Sequence, residues 1–397
     1  MAKALFLSLP LHGHVNPSLA LVRELVDRGD AVTYYAAEAF ASRIEQTGAK
    51  YRPYHNAFLA DIKNLPARID QLAWLLMRTT AEVLDDELAD FRREEPDYVI
   101  CDASAPWGKC IAELLGVPLV TSVATVAVNR HVMAFGVSHG VRPKSLRFLL
   151  SKVRHIAKAI AVRRNIRRLH RISGPGLMEL TFGRSDLTIV YTSRQFQPCE
   201  GTFDERFQFV GPSIASRPES VAFPWDQVRH PTLVYVSLGT LFNTDASFYR
   251  TCFAALREED CQVVLSTGSG VRVEDIGPPP PNFIVQPYVP QLEVLRRAAA
   301  FVTHGGMNSV SESLGLGVPV VVIPQMGEQE IVGRRAEQLG AGLVLPRTAI
   351  AVESLRAAVR RVRSDGSYRH QAAQVGEGFR ASGGVGRAAD AIWAFTR

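Results

Sequence analysis

The sequence predicts an α/β protein of two domains, each built on a parallel sheet, that face each other across a cleft. Strand-like apolar runs alternate with helical patterns along the chain, which is typical of parallel strands joined by crossover helices. A length of 397 residues is too great for one hydrophobic core. The proline-rich segment 212–231 interrupts the alternation, and we interpret it as the linker.

The first half begins with a predicted strand, KALFLSL, and a helix from Pro17 to Asp27. The strand AVTYYAA and a helix near Glu38 to Thr47 follow. Three further runs, DYVICD, VPLVTS and LTIVY, have the length and composition of buried strands. We therefore expect a Rossmann-like first domain over residues 1–211.

The second half repeats this alternation after the linker. The strand TLVYVSLGT and a helix near Ala246 to Arg257 are followed by the strands CQVVLST, NFIVQPY, AFVTH, VPVVVIP and GLVLP. We expect a second Rossmann-like domain over 232–375 and a helical segment over 376–397. Ligands of such domains bind at the carboxyl ends of the strands.

Composition excludes several classes of protein. The five cysteines are odd in number and show no CxxC pair, which favours reduced thiols over a disulfide framework or a zinc site. The start, MAKALFLSLPL, is interrupted by Pro10 and lacks a cleavage site, so we interpret it as a buried strand. No apolar run reaches the roughly 18 residues of a membrane span, which makes the cytoplasm the default location.

The segment 142–171 is strongly basic, with eleven Lys or Arg and no acidic residue. Its apolar residues recur with helical periodicity, so the segment is predicted to form a basic amphipathic helix or helix pair. A solvated helix face, a peripheral contact with a membrane surface or partner, and attraction of anionic substrates all remain open. Nucleic acid is disfavoured as a partner because no aromatic residues are interleaved with the charges.

A candidate acid–base pair lies in the first half. Asn16 and Pro17 are typical of a helix start, so His14 is expected in the loop after the first strand. Asp102 ends the strand YVICD and should lie on the same edge of the sheet. A histidine held by a carboxylate can remove a proton from a hydroxyl at neutral pH. Both residues could instead cap loops, and His12 with His14 is too small a set for a metal site.

A candidate anion site lies between Tyr288 and Gln329. A buried strand runs into Gly305 and Gly306, and a helix opens directly afterwards. Glycines let the backbone approach a ligand, and free N–H groups at a helix start favour a diphosphate. Structural alternatives stay open here: His304 could be a buried core histidine, and the spacing of Ser309 and Glu312 also fits a capping box.

The Tyr288–Gln329 block, GHVNP near the N-terminus and SLGT at 237–240 together resemble family 1 glycosyltransferases, most closely the bacterial macrolide and YjiC-like group. The resemblance covers nearly the whole chain. It implies the GT-B fold, in which the C-terminal tail crosses back onto the first domain. It also implies that His14 is the catalytic base and Asp102 its supporting carboxylate.

The resemblance implies a donor site for a UDP-sugar in the second domain. Diphosphate contacts are expected from Ser237, Gly239, Thr240, His304, Gly306, Asn308 and Ser309. Tyr288, Val289 and Gln291 should lie near uracil, with Glu312 on the ribose. Tyrosine at 288 replaces the tryptophan of plant members, which weakens the inference of uracil preference. Glu328 and Gln329 should read a hexose, with glucose the leading candidate, although they could instead cap the next helix.

The resemblance thus implies an inverting transfer of the hexose to a small hydrophobic acceptor such as a flavonoid, another phenol or a macrolide, with no metal required. Apolar residues of the first domain are candidates for the acceptor site or for the core: Phe58, Trp74, Met133 and Phe135. Two competing functions remain open, a nucleotide-sugar epimerase with the GT-B fold and a non-catalytic activator of another transferase.

Overall fold

The strands lie in two parallel sheets in the computed structural model, which describes residues 1–60, 62, 69–138, 146–174, 185–214, 221–239 and 243–397. The first sheet contains β1 (Lys3–Leu7), β2 (Ala31–Ala36), β3 (Lys50–Pro53), β4 (Tyr98–Asp102), β5 (Leu119–Val123), β6 (Leu187–Val190) and β7 (Phe207–Phe209). The second contains β8 (Leu233–Ser237), β9 (Gln262–Ser266), β10 (Phe283–Gln286), β11 (Ala298–Thr303), β12 (Val320–Val322) and β13 (Gly342–Val344).

Helices connect the strands. Those of the first half are α1 (His12–Asp27), α2 (Ala41–Glu45), α3 (Ala57–Ala60), α4 (Ile69–Asp86), α5 (Leu88–Arg93), α6 (Pro106–Leu115), α7 (Arg130–Ser138) and α8 (Leu146–His170). Those of the second half are α9 (Ala246–Leu256), α10 (Val273–Ile276), α11 (Gln291–Arg297), α12 (Met307–Gly315), α13 (Gly327–Gln338), α14 (Val352–Ser364), α15 (Gly366–Ala381) and α16 (Gly384–Thr396).

Both sheets reverse their strand order at an equivalent point. The first has the order β3-β2-β1-β4-β5-β6-β7 and the second β10-β9-β8-β11-β12-β13. The reversal therefore falls between β1 and β4 in one sheet and between β8 and β11 in the other. Loops diverge above such a point and leave a crevice for ligands. The prediction of two Rossmann-like domains with parallel sheets is confirmed.

Apolar strands buried on both faces form the centre of each domain. All five residues of β4 and of β8 are buried, as expected where helices cover both faces of a parallel sheet. Aromatic rings stack on neighbouring strands in both sheets: Phe6 on Tyr34 at 4.4 Å between ring centroids, and Tyr235 on Phe301 at 4.6 Å. Each pair contributes roughly 0.5–1.5 kcal/mol beyond its burial.

The first helix begins earlier than the sequence indicates. It starts at His12 rather than Pro17, so His14 lies in its first turn and not in a loop. Proline has no N–H and cannot donate to the carbonyl four residues before it, which here is Gly13. The side-chain amide of Asn308, from the second domain, donates to that carbonyl at 3.3 Å. The Gly13 carbonyl is therefore the one helical acceptor that loses its N–H partner to the proline, and Asn308 replaces that partner. The helix can thus continue through Pro17.

The C-terminal segment 376–397 contains parts of two helices rather than one. The helix α15 ends at Ala381, and α16 starts after Gly383, whose φ of +90° favours glycine. The helix α16 then packs against α1 of the first domain, with Ala388, Ala389 and Ile392 in its core. This crossing agrees with the fold expected from the resemblance.

A buried carboxylate fixes this crossing helix. The side chain of Asp30 is fully buried and accepts hydrogen bonds from the Tyr98 hydroxyl at 2.9 Å and from the Trp393 indole at 3.0 Å. The guanidinium of Arg397 donates to its other oxygen at 2.8 Å and lies over the Trp393 ring. These bonds satisfy a charge that would otherwise be costly to bury.

The basic segment forms one helix over the part that the structure describes. Residues 142–145 lie outside the described residues, and α8 covers 146–170. It packs against α4, where the Lys158 ammonium lies 5.2 Å from the centroid of the Trp74 ring and His155 also contacts that ring. Within the described ranges, no helix combines the length and apolar character needed to cross a membrane.

Replacing Asp30 by Ala is expected to destabilise the protein by about 3 kcal/mol, because four donors, including the backbone N–H of Ala2, lose a buried acceptor. Thermal unfolding followed by circular dichroism measures this. The matched control is Asp390→Ala, which removes the exposed carboxylate that pairs with Arg28 and should cost less than about 1 kcal/mol. Equal effects of the two substitutions would contradict the role given to Asp30.

Candidate functional site

The reversal of strand order in the first sheet brings His14 and Asp102 together. His14 follows β1, and Asp102 ends the neighbouring strand β4. The Nδ1 atom of His14 lies 2.9 Å from Oδ2 of Asp102. The other carboxylate oxygen accepts the backbone N–H of Ser104 at 2.7 Å, which fixes the orientation of the carboxylate. A carboxylate only accepts, so Nδ1 carries the proton and Nε2 keeps a lone pair.

The charge of Asp102 determines how His14 titrates. Burial opposes protonation of His14, but attraction and hydrogen bonding by Asp102 outweigh it and raise the pKa above the ordinary 6.5. The pair therefore stabilises the folded protein fully below about pH 6.5, and this contribution is lost as the pH rises through the raised pKa. Above that pKa the imidazole is neutral and can accept a proton at Nε2.

Glu328 of the second domain interacts electrostatically with this pair. It lies at the start of α13, and its side chain is exposed. Desolvation raises the pKa of its carboxyl, the Asp102 charge adds to the shift, and the His14 charge opposes it. Glu328 is therefore close enough for its charge to act on both members of the pair.

Gln329 has the structural role that the sequence left open. Its side-chain oxygen accepts the backbone N–H groups of Gln325 at 2.7 Å and Met326 at 3.1 Å, at the start of α13. That oxygen therefore caps the start of α13. Only the amide nitrogen of Gln329 is left as a donor for a ligand.

His304 occupies a narrow space between two glycines of the second domain. A Cβ atom on Gly239 would lie 2.6 Å from Cε1 of the ring, and one on Gly306 would lie 2.4 Å from Nε2. Burial lowers the pKa of His304 to about 4, so the ring is neutral at pH 7. It can donate one hydrogen bond but does not supply a positive charge.

The loop after β8 is held against His304 by polar contacts. The Ser237 hydroxyl accepts the N–H of Gly239 at 3.3 Å, and the Asn243 amide donates to the Gly239 carbonyl at 2.8 Å. Gly239 has a φ of +75°, which an L-residue rarely adopts. The predicted site residue Thr240 lies outside the described residues. Asn243 was missed because its role depends on the loop conformation.

The helix α12 starts at Met307 with Gly306 as its N-cap. Glu312 does not form a capping box with Ser309. Its carboxylate instead accepts from the Gln291 amide at 2.6 Å, and the Gln291 oxygen accepts from the Tyr235 hydroxyl at 3.2 Å. Ser309 lies in the first turn of this nine-residue helix and not at its N-cap, where Gly306 has no side chain to accept from an N–H group. The capping-box alternative is therefore wrong.

A cavity of about 980 Å³ separates the domains beside this helix. Tyr288, Val289, Gln291, Asn308 and Glu312 line it from the second domain. Tyr288 is half exposed there, with its ring available for stacking. The cavity therefore unites the residues that the resemblance assigns to the nucleoside. Asn308 also contacts the Gly13 carbonyl, so its amide is turned toward the first domain.

The four candidate acceptor residues do not lie together. Met133 and Phe135 are on α7, which packs against α13, the helix that carries Glu328. Phe58 packs against the core of the first domain, and Trp74 lies between α4 and α8. Only the pair on α7 is adjacent to the helix expected to contact the sugar.

Three polar residues of the cavity were missed as site candidates. Asn16, Ser213 and Ser311 line it, and each has a buried side-chain oxygen without a hydrogen-bond partner among the described residues. They come from α1, from the segment between β7 and β8 that we interpreted as the linker, and from α12, and no local sequence motif joins them. No group of three potential metal ligands occurs in the described part of the chain.

Replacing Asp102 by Asn is expected to lower the pKa of His14, because burial still opposes protonation and the attracting charge is gone. Titration of the His14 ring by NMR checks this. An unchanged pKa would contradict the electrostatic role of Asp102.

A family model matches part of the second half of the chain, and related proteins match nearly its whole length. The family model EryCIII-like C-terminal domain, of erythromycin biosynthesis protein CIII-like proteins, matches residues 250–383. YojK of Bacillus subtilis, an uncharacterized UDP-glucosyltransferase, is 34% identical across 99% of this chain and 97% of its own length. The NDP-glycosyltransferase YjiC of the same organism is 35% identical, with 98% of this chain and 96% of its own covered.

Solved structures of glycosyltransferases share the architecture. CalG4, the calicheamicin glycosyltransferase, superposes with a TM-score of 0.80 at 29% identity, covering 100% of this chain and 98% of its own. The glycosyltransferase of kitacinnamycin gives a TM-score of 0.82 at 28% identity, covering 98% of both chains. The fold, the order of the motifs and the full-length identity agree, so the chain belongs to the family 1 glycosyltransferases of the GT-B fold, in the macrolide and YjiC-like group.

Proposed function

We propose that this enzyme transfers a hexose from a UDP-sugar to a hydroxyl of a small hydrophobic acceptor, with inversion at the anomeric carbon. The hydrogen bond between His14 and Asp102, at 2.9 Å on the cleft side of the first sheet, carries the proposal. It leaves Nε2 of His14 without a proton in the neutral ring, so that this nitrogen can act as a base. The relatives YojK and YjiC are named as sugar transferases, which supports transfer over epimerisation.

The reaction is a single displacement. Nε2 of His14 takes the proton of the acceptor hydroxyl as the oxygen attacks the anomeric carbon, and the bond from that carbon to the UDP oxygen breaks. Asp102 stabilises the imidazolium that forms, because the carboxylate already accepts the Nδ1 proton. General-base catalysis of this kind contributes about 10²- to 10⁴-fold to the rate.

The leaving diphosphate is proposed to bind at the start of α12. Free backbone N–H groups and the helix dipole stabilise negative charge there. The neutral ring of His304 supplies one directed hydrogen bond from its place between Gly239 and Gly306. Ser237, Asn308 and Ser309 border the same end of the second sheet, and this set needs no metal ion for the charge stabilisation we propose.

The sugar is proposed to lie between Glu328 and the catalytic pair. The carboxylate of Glu328 can accept from vicinal hydroxyls, and the Gln329 amide can donate to one of them. The glucosyl group of UDP-glucose has free vicinal hydroxyls on its ring, and we propose glucose as the donor sugar. Met133 and Phe135 on the adjoining helix α7 are the best placed of the candidate acceptor contacts.

Replacing His14 by Ala is expected to reduce transfer from UDP-glucose to a phenol by at least 10²-fold while leaving UDP affinity within about threefold. UDP release and isothermal titration measure the two quantities. The matched control is His12→Ala, which removes the exposed histidine two residues earlier and should keep most of the activity. Equal losses in both variants, or normal turnover without His14, would contradict the assignment of the base.

Replacing Gly306 by Ala is expected to weaken UDP binding about tenfold or more. Its φ of −60° suits alanine, so the added Cβ acts on the ring of His304 rather than on the backbone. Loss of a hydrogen bond to a charged diphosphate accounts for the magnitude. Gly366→Ala, where nothing lies within 4 Å of the added atom, is the control. Unchanged UDP affinity in Gly306→Ala would exclude His304 from the diphosphate site.

A further inference from the structure

Three residues that line the cavity between the domains each have a buried side-chain oxygen with no hydrogen-bond partner among the described residues. These oxygens are Oδ1 of Asn16, Oγ of Ser213 and Oγ of Ser311. Ser311 is only 2% exposed. A buried polar atom without a partner costs roughly 1–3 kcal/mol, and native proteins contain few of them. Three at one cavity therefore indicate a site whose ligand supplies the missing hydrogen bonds.

Packing brings the three segments to the same place. Ser311 and Gly315 are four residues apart on α12 and so share one helix face. A Cβ on Gly315 would lie 2.5 Å from Cδ1 of Ile214, the residue after Ser213, so the linker runs along that face. The bond from Asn308 to the Gly13 carbonyl holds the start of α12 against the first turn of α1, next to Asn16.

The other residues that line the cavity indicate which part of the donor the three residues would bind. Tyr288, Gln291 and Glu312, the residues implied for uracil and ribose, line the same cavity. Of the residues implied for the diphosphate, Asn308 also lines the cavity, whereas His304, Gly306 and Ser237 do not. The serine hydroxyls can bond either a nucleoside or a phosphate, but the amide oxygen of Asn16 only accepts, so it suits a hydroxyl or N–H group of a nucleoside and would repel a phosphate.

We propose that Asn16, Ser213 and Ser311 hydrogen-bond the nucleoside of the donor, so that the first domain, the linker and the second domain jointly form its binding site. This inference rests on the proposed function, because it takes the nucleoside site of a UDP-sugar as its starting point. It adds contacts from α1 and the linker to those expected from the second domain. A bound nucleoside would then bridge α1 and α12, beside the existing contact of Asn308 with the Gly13 carbonyl.

The test compares two serines of one helix. Ser311→Ala should weaken binding of UDP and of UMP by the same factor, about three- to tenfold, as expected for one lost hydrogen bond. The midpoint of thermal unfolding of the free protein should not fall, because the hydroxyl has no partner to lose. The control is Ser313→Ala. Its hydroxyl donates to the Val318 carbonyl at 2.8 Å, so the variant should unfold at a lower temperature and bind UMP normally.

Variants on the other two segments test whether the site is shared. Ser213→Ala and Asn16→Ala should each weaken UMP binding by a similar factor, measured by isothermal titration. Inorganic pyrophosphate, which lacks the nucleoside, should bind all three variants as it binds the unmodified protein. Unchanged UMP affinity in all three variants, or an equal loss for pyrophosphate, would overturn the proposal, as would a lower unfolding temperature for Ser311→Ala.

The outcome is separable from that of the proposed function. Failure of the unmodified protein to bind any uridine nucleotide or to release UDP in the presence of a phenol contradicts the transferase function itself. Normal transfer and normal UMP binding by the three variants contradict only the nucleoside assignment.

Discussion

The hydrogen bond between His14 and Asp102 is the constraint on which the rest of the site depends. It requires β1 and β4 to be neighbours, because the two side chains follow the ends of these strands. It also requires a buried carboxylate whose second oxygen is occupied, which the Ser104 N–H provides. The bond fixes the tautomer and raises the pKa of the histidine, so Nε2 is the nitrogen available to act as the proposed base.

The two halves of the site hold histidines in opposite electrostatic states. Asp102 raises the pKa of His14, whereas burial between glycines lowers that of His304 to about 4. One ring can therefore gain a proton during the reaction, and the other stays a neutral donor.

The domains are held together by the crossing helix α16 and by the contact of Asn308 with Gly13, a carbonyl left free by Pro17. Pro17 removes one backbone hydrogen bond from α1, and the carbonyl that it leaves free accepts a hydrogen bond from the other domain.

Much of this organisation was predictable from the sequence, for a physical reason. Apolar runs such as DYVICD and AFVTH are buried on both faces, and the carboxyl ends of parallel strands share one edge, so His14 and Asp102 could be placed together. The predicted start of α1 was wrong, because a proline such as Pro17 is common at the first position of a helix but here lies inside it. The capping-box alternative failed because the helix begins at Met307, two residues before Ser309, so that Gly306 is the N-cap. The cluster of Asn16, Ser213 and Ser311 at the cavity could not be predicted, because these residues lie on three separate segments that no local sequence pattern connects.

The stereochemistry of the product tests this account most directly. Glu328 is a second carboxylate in the cleft, close enough to interact with His14, and it offers a route through a covalent sugar intermediate. Direct attack by an oxygen deprotonated at His14 inverts the anomeric carbon, whereas two successive displacements retain its configuration. NMR of the glycoside formed from UDP-glucose and a phenol should show the configuration opposite to that of the donor. A product with the donor's configuration would contradict His14 as the base of a single displacement.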